Sequence, residues 1–277
     1  MIPADADRAV RRYLRLADRL LPGRIVGLYL VGSVALGAFR PAQSDIDFVA
    51  AVEGDLDAAE VRRLRLLHAA TALRSAAPSI ARGNVMASGV CNGVYVRSTD
   101  LSRPVSTIVP LASHVGREFH VGTGFDVNPV QWATLARRGV AIRGAEPATL
   151  GLDPEPDRLR QWNLDNLADY WVPWARRVRQ RPGVRFRASP RWWTAWGVLG
   201  PTRLHHTIAT GEVISKEEAG EHARRAFDAR WHPLIDEALA HRLGRPADPT
   251  FRDLRARAEA TGAFALEVAE AAASLDA

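Results

Sequence analysis

Cysteine is almost missing from this 277-residue chain, Cys91 being the only one. A single thiol excludes an internal disulfide and a multi-thiolate zinc site, so the fold rests on its own packing, and Cys91 is read as core. Lysine is equally scarce: of 37 basic residues only Lys216 is not arginine. A general arginine bias replaces lysine wherever charge alone matters. The survivor therefore stands either by chance or where a compact, flexible ammonium is wanted. Long apolar runs are absent too. Nothing approaches the roughly 20 residues of a membrane span, and the opening MIPADADRAVRRYL has no apolar signal region. The expected compartment is the cytoplasm.

What is present is a globular composition, 47% hydrophobic and 25% charged, which excludes disordered and collagen-like chains. The length suits two modest domains. The net charge of +6 is uneven. Residues 1–150 carry 18 bases and 13 acids, residues 151–200 carry 9 and 5, and residues 201–277 carry 10 and 13. The basic excess peaks in Arg176, Arg177, Arg179, Arg181, Arg185, Arg187 and Arg191. Without a nucleic-acid motif, that run reads as solvated surface.

Apolar periodicity predicts a helix over Ala6–Leu21, stopped by Pro22-Gly23, and a buried strand over Ile25–Val31. A short helix or tight turn follows over Ser33–Phe39, then a strand over Asp45–Val52, a helix over Leu56–Ala76 and a strand over Val90–Val96. On that last strand Cys91, Gly93 and Tyr95 share one face and Asn92 and Val94 the other. A helix over Pro129–Gly139 precedes the Gly- and Pro-containing linker 144–156. The domain boundary is placed there, giving domains 1–150 and 151–277. Beyond it, helical periods cover Asp157–Arg179, Pro190–Thr210, Ser215–Leu243 and Phe251–Leu275. Gly211 is placed as a helix stop, and Ser215 with Glu218 forms a capping-box pattern.

The chemistry concentrates in Gly32-Ser33 followed by Asp45-Ile46-Asp47. Asp45 and Asp47, two residues apart on a strand, project from one face. Two carboxylates suit magnesium, which prefers one or two carboxylates plus substrate phosphates to an all-protein cage. A Gly-Ser turn lets backbone N–H groups and a hydroxyl approach those phosphates. Together these parts describe a nucleotidyl-transfer site.

Val31-Gly32-Ser33 with Asp45-x-Asp47 resembles the signature of the polymerase-beta-type nucleotidyltransferase superfamily. Arg203, Thr210-Gly211 and Ser215-Lys216 resemble the helical domain of the aminoglycoside adenylyltransferases that modify streptomycin and spectinomycin. The resemblance implies an α+β protein: an N-terminal nucleotidyltransferase α/β domain with a mixed sheet, then a C-terminal all-helical domain, with an ATP-binding cleft between them. It implies that Asp45 and Asp47 hold Mg2+, two ions in two-metal chemistry. Gly32 and Ser33 would cradle the outer phosphates of ATP, and Lys216 with Arg203 would neutralise them. AMP would pass to a hydroxyl of a small polar acceptor, an aminoglycoside or aminocyclitol. A monomer is expected, and nucleic acid is not the expected partner.

The family places a glutamate, ligand and general base, where this chain has Asn92. An amide takes no proton but can orient a hydroxyl through its carbonyl oxygen. Glu118 is the preferred substitute base, with Asp100 and His120 as others. Trp171 and Trp174 beside Asp165 and Asp169 are the expected receptor for a cationic acceptor, because a ring face with a nearby carboxylate suits an ammonium. His206, of the pair His205-His206, is a further substrate candidate, and Asp126 and Asn128 are candidates for lining the cleft. Two rival readings stand: a silent nucleotide-binding homologue, motivated by Asn92, and nucleotide addition to RNA, motivated by the arginine run.

Overall fold

The computed structural model describes residues 1–41, 43–81, 91–246 and 251–275. They form two compact units, Met1–Pro156 and Asp157–Ala277.

In the first unit, α1 (Ala4–Leu20) leads into β1 (Ile25–Leu30), the short α2 (Gly32–Ala35), β2 (Ile46–Val52), α3 (Ala58–Ala81) and β3 (Cys91–Arg97). The hairpin β4 (Ala112–Val115) and β5 (Glu118–Val121) follows, then α4 (Pro129–Arg138) and β6 (Val140–Arg143). The six strands make one mixed sheet in the order β5-β4-β3-β2-β1-β6. Only β2 and β3 run parallel, joined through α3 as a parallel pair requires. The mixed sheet and each predicted strand are present within a residue or two, although the predicted residue Val90 lies outside the described residues. The β4–β5 hairpin was not expected. Its strands have four residues each, too few for alternation to register, and Gly116 with φ +62° makes the two-residue turn between them.

Alternation sorts the sheet into two faces. Ile46, Phe48, Ala50, Val52, Cys91 and Tyr95 pack with Tyr13 of α1 and Leu64 and Leu67 of α3. In this layer the Tyr13 and Tyr95 hydroxyls hydrogen-bond, and Tyr95 also meets His68 Nε2 at 2.5 Å. Burial lowers the pKa of His68 and His114, which stack at 3.9 Å as neutral rings. Gly93 has no room for a side chain, because a Cβ would enter the Phe48 ring. The opposite face carries Val49, Ala51, Val94 and Val96, covered by Trp132 and Leu135 of α4 with Val127 packed beside them.

The second unit is all helical: α5 (Pro156–Asn166), α6 (Val172–Gln180), α7 (Val184–Ala188), α8 (Pro190–Thr210), α9 (Lys216–Ala226), α10 (His232–Arg242) and α11 (Leu254–Ser274). The single helix predicted over Asp157–Arg179 is interrupted at Leu167–Trp171 by a widened π turn, in which the Val172 N–H reaches back to Leu167 O. Pro173, with no N–H to give, sits at the start of the following helix. The helix predicted over Ser215–Leu243 is two helices separated by a turn at Ala229–Trp231. Gly211 ends α8 in the left-handed conformation, φ +74°, and the Ser215–Glu218 capping box is formed in both directions.

Two glycines on α8 accept two indoles. A Cβ at Gly197 would enter the Trp174 ring and one at Gly200 the Trp171 ring. The tryptophans and the glycines are each three residues apart, so both pairs repeat along one helix face. α11 packs against α6 and α8. A buried charge pair, Arg257 with Glu237, ties α11 to α10, and Arg257 Nη2 also donates to Phe251 O at 2.8 Å.

Candidate active site

The strand-turn-strand core of the first unit builds the site. Directly after β1, the Val31 N–H donates to Asp47 O at 2.9 Å. The chain then turns at Gly32, φ +54°, directly against the Asp47 side chain. A Cβ at position 32 would overlap the Asp47 carboxylate, so only glycine serves there. Ser33 follows with its Oγ buried and without a hydrogen-bond partner among the described residues. An unsatisfied buried hydroxyl costs about 1–3 kcal/mol, and a phosphate oxygen would satisfy it. The loop into β2 is fixed by Ser44, whose Oγ accepts the Arg40 N–H at 3.0 Å and whose own N–H returns to Arg40 O at 2.8 Å.

Asp45 and Asp47 share a face by alternation, the one on which Val49, Val94 and α4 lie. Asn92 is the parallel-register neighbour of Asp47 on β3. Its Nδ2 donates to Asp45 Oδ2 at 3.3 Å, and its Oδ1 accepts the Gly116 N–H at 2.9 Å. Asn92 thus ties a site carboxylate to the β4–β5 turn. Cys91 behind them is buried, and burial with the charges on Asp45 and Asp47 pushes its thiol up to about 12. It is core, and it is no nucleophile.

The chain after β5 returns over this same face. Ser113 Oγ donates to Thr123 O at 2.8 Å, and Gly124 lies against the Ser113 side chain. Asn128 caps α4 by accepting the Gln131 N–H at 2.9 Å and holds the loop by donating to Phe125 O at 2.7 Å. Between these anchors stands Asp126, partly buried. Burial first, and then the nearby charge of Asp47, raises its carboxyl to about 7. Among the described residues no group of three or more acids, histidines or cysteines is close enough to share one metal ion. Asp45 and Asp47 are the carboxylates at this turn that could receive a cation, and the Gly32 cradle with the Ser33 hydroxyl has the chemistry to meet phosphates beside them.

Glu118 is not brought to the pair. It lies on the edge strand β5, three strand spacings from β2, roughly 14 Å, with its side chain 75% exposed and 3.4 Å from His120. His120 shares that exposed edge. Asp100 is buried but engaged by Arg97 and Arg103 at 3.3 and 3.4 Å. The β4–β5 hairpin places Glu118 and His120, and the turn after β3 places Asp100; neither is visible in residue type.

In the helical unit, Arg203 Nε donates to Ile214 O at 2.8 Å, two residues before Lys216. Lys216 is the first residue of α9, and its Nζ lies 5.3 Å from the centroid of Trp196. Trp192 stacks on Trp196 at 5.5 Å. This cation–π support of the sole lysine has no signal in the sequence, because Trp196 and Lys216 are twenty residues apart on different helices. Trp171 and Trp174 are buried in their glycine slots and present no ring face to an acceptor. Asp165 is exposed and accepts from Gln161 at 2.8 Å, and Asp169 is exposed on the π turn. The aromatic–acid receptor expected from these four residues does not assemble, because the helix face that carries the indoles turns inward while the acids face out. His206 is half-buried beside the His222 ring at 4.9 Å, with burial lowering its pKa. The arginine run is partly neutralised from distant sequence: Arg179 pairs with Glu259 at 2.6 Å, and Arg191 lies 3.7 Å from Glu237.

Among the described residues, no helix is long and apolar enough to cross a membrane. The nucleotidyltransferase domain family matches residues 10–78, and the family described as aminoglycoside adenylyltransferase, C-terminal domain, matches residues 184–267. No curated protein matches the chain. Among solved structures, the spectinomycin adenyltransferase AAD(9) from Enterococcus faecialis, crystallised with ATP and spectinomycin, is similar in fold. Identity is 14%, the match covers 94% of this chain and 99% of that one, and the TM-score is 0.66. With one family matched in each half and the Gly-Ser turn laid against its paired aspartates, the chain is a nucleotidyltransferase resembling the aminoglycoside adenylyltransferases.

Proposed function

We propose that this protein transfers AMP from ATP to a hydroxyl of an aminoglycoside or aminocyclitol. The observation that carries the reading is the buried, unpartnered Ser33 hydroxyl beside a glycine cradle and two carboxylates. A family match to an aminoglycoside adenylyltransferase domain in residues 184–267 supports the choice of acceptor class.

In this reading Ser33 Oγ and the backbone around Gly32 bind the outer phosphates. Asp45 and Asp47 would hold Mg2+, two ions in the two-metal arrangement, which when bound supplies positive charge to the phosphate oxygens as the bond between the α- and β-phosphates breaks. Asn92 keeps Asp45 oriented through its amide hydrogen bond. Arg203 and Lys216 of the helical unit, residues 157–277, carry the positive charge that the reading calls on for phosphate, with the Trp196 ring limiting the freedom of the lysine. Asp165, Asp169 and His206 remain candidates for meeting the acceptor.

The test is mass spectrometry of an aminoglycoside and aminocyclitol panel incubated with protein, ATP and Mg2+. One or more acceptors gaining the mass of AMP supports the reading, and none doing so argues against it. A second reading, a silent nucleotide-binding protein, is favoured by Asn92, whose amide is committed to Asp45 and Gly116 and is no base. ATP binding without any adduct would support it.

A further inference from the structure

The chain places no carboxylate at Asn92, yet a hydroxyl attacking phosphorus must lose a proton. Three observations point to where that proton goes. Asp45, Asp47 and Asn92 lie on the sheet face covered by α4. The loop that feeds α4 crosses this same face, pinned at one end by Ser113 Oγ to Thr123 O and at the other by the Asn128 cap and its bond to Phe125 O. Asp126 sits between the pins, flanked by Val127, which packs into the α4 layer, and Phe125, which is exposed.

Asp126 is also chemically idle in the fold. Its carboxyl makes no hydrogen bond or ion pair among the described residues, although it is partly buried and within electrostatic reach of Asp47. A carboxylate held beside another negative charge without a donor costs stability, and folding alone gives no reason to keep it. Among the described residues it forms no three-ligand metal group with Asp45 and Asp47. A carboxylate without a donor, on the face that carries the aspartate pair, suits the acceptance of a proton.

Resting on the AMP-transfer reading above, we propose that Asp126 is the catalytic base, the carboxylate that takes the proton from the acceptor hydroxyl. The acceptor oxygen forms its bond to the α-phosphorus as its O–H proton passes to Asp126. The bond from that phosphorus to the bridging oxygen breaks, and pyrophosphate leaves with the electron pair. Asp126 then returns the proton to water through its exposed edge.

The experiment compares wild type, Asp126→Asn and Asp126→Glu in AMP transfer, and measures binding of a non-hydrolysable ATP analogue with Mg2+ by calorimetry. Folding of each variant is checked by circular dichroism. Asp126→Asn is expected to lose about 100- to 10,000-fold in kcat, with analogue affinity and the KM for ATP within about twofold of wild type, while Asp126→Glu recovers part of the rate. Transfer by Asp126→Asn near the wild-type kcat overturns the proposal. So does a parallel loss of analogue binding, which would make Asp126 a nucleotide or metal ligand. Failure of the wild type to adenylylate any acceptor overturns the reading of AMP transfer itself.

Discussion

Gly32 and Asp47 occupy one space: the turn after β1 presses the Gly32 α-carbon, at φ +54°, against the Asp47 carboxylate, and a methyl group there would overlap it. Gly32→Ala therefore meets two penalties, a left-handed backbone worth about 1–2 kcal/mol and displacement of a carboxylate. Thermal melts should show a loss of about that size, and nucleotide affinity should fall more than stability does. A Gly32→Ala protein that binds ATP like wild type would refute the role given to this contact.

Asn92 is a structural tie as well as a departure from the family pattern. Asn92→Glu places a third charge against Asp45 and removes the donor that holds it at 3.3 Å. Transfer should drop, because the base is assigned elsewhere. An increase in transfer by Asn92→Glu would show instead that Asn92 is a decayed carboxylate.

The helical unit leans on one buried charge pair. Arg257→Ala removes the buried cation beside Glu237, which Arg191 also approaches at 3.7 Å, and should cost about 3–5 kcal/mol. The double change Arg257→Met with Glu237→Gln should recover most of that loss in denaturant titrations. No recovery would mean that the arginine stem, and not its charge, carries the stability.

His222 gives the unit an acid limit. Burial first, then the neighbouring His206 and His205, lowers it from 6.5 to about 4, and its Nε2 hydrogen-bonds His205 Nδ1 at 2.9 Å. A depressed folded pKa contributes stability that is present above pH 6.5 and is lost as pH falls through 4. The melting temperature should decline across that window, and less steeply in His222→Gln. Parallel curves would contradict the assignment.

Much of this was legible in the residues, and the exceptions have physical causes. Gly32-Ser33 and Asp45-x-Asp47 announce themselves because a turn and an alternating strand are local. The faces of β3 followed from alternation, as Cys91 and Tyr95 against Val94 show. Glu118 was misplaced because strand order is not local: it sits on an edge strand whose four residues leave no periodic trace. Trp171 and Trp174 were assigned to an acceptor because nothing in their own neighbourhood announces the slots at Gly197 and Gly200. Asp126 was only a cleft-lining candidate, since its distinction is the absence of a partner among the described residues, which appears only in the folded chain.

The most direct test is magnesium-dependent pyrophosphate release from ATP, measured with each acceptor of an aminoglycoside panel, for wild type and Asp47→Asn. The account predicts release that requires an acceptor and disappears in Asp47→Asn. Equal release by the variant, or none by the wild type with any acceptor, would contradict it.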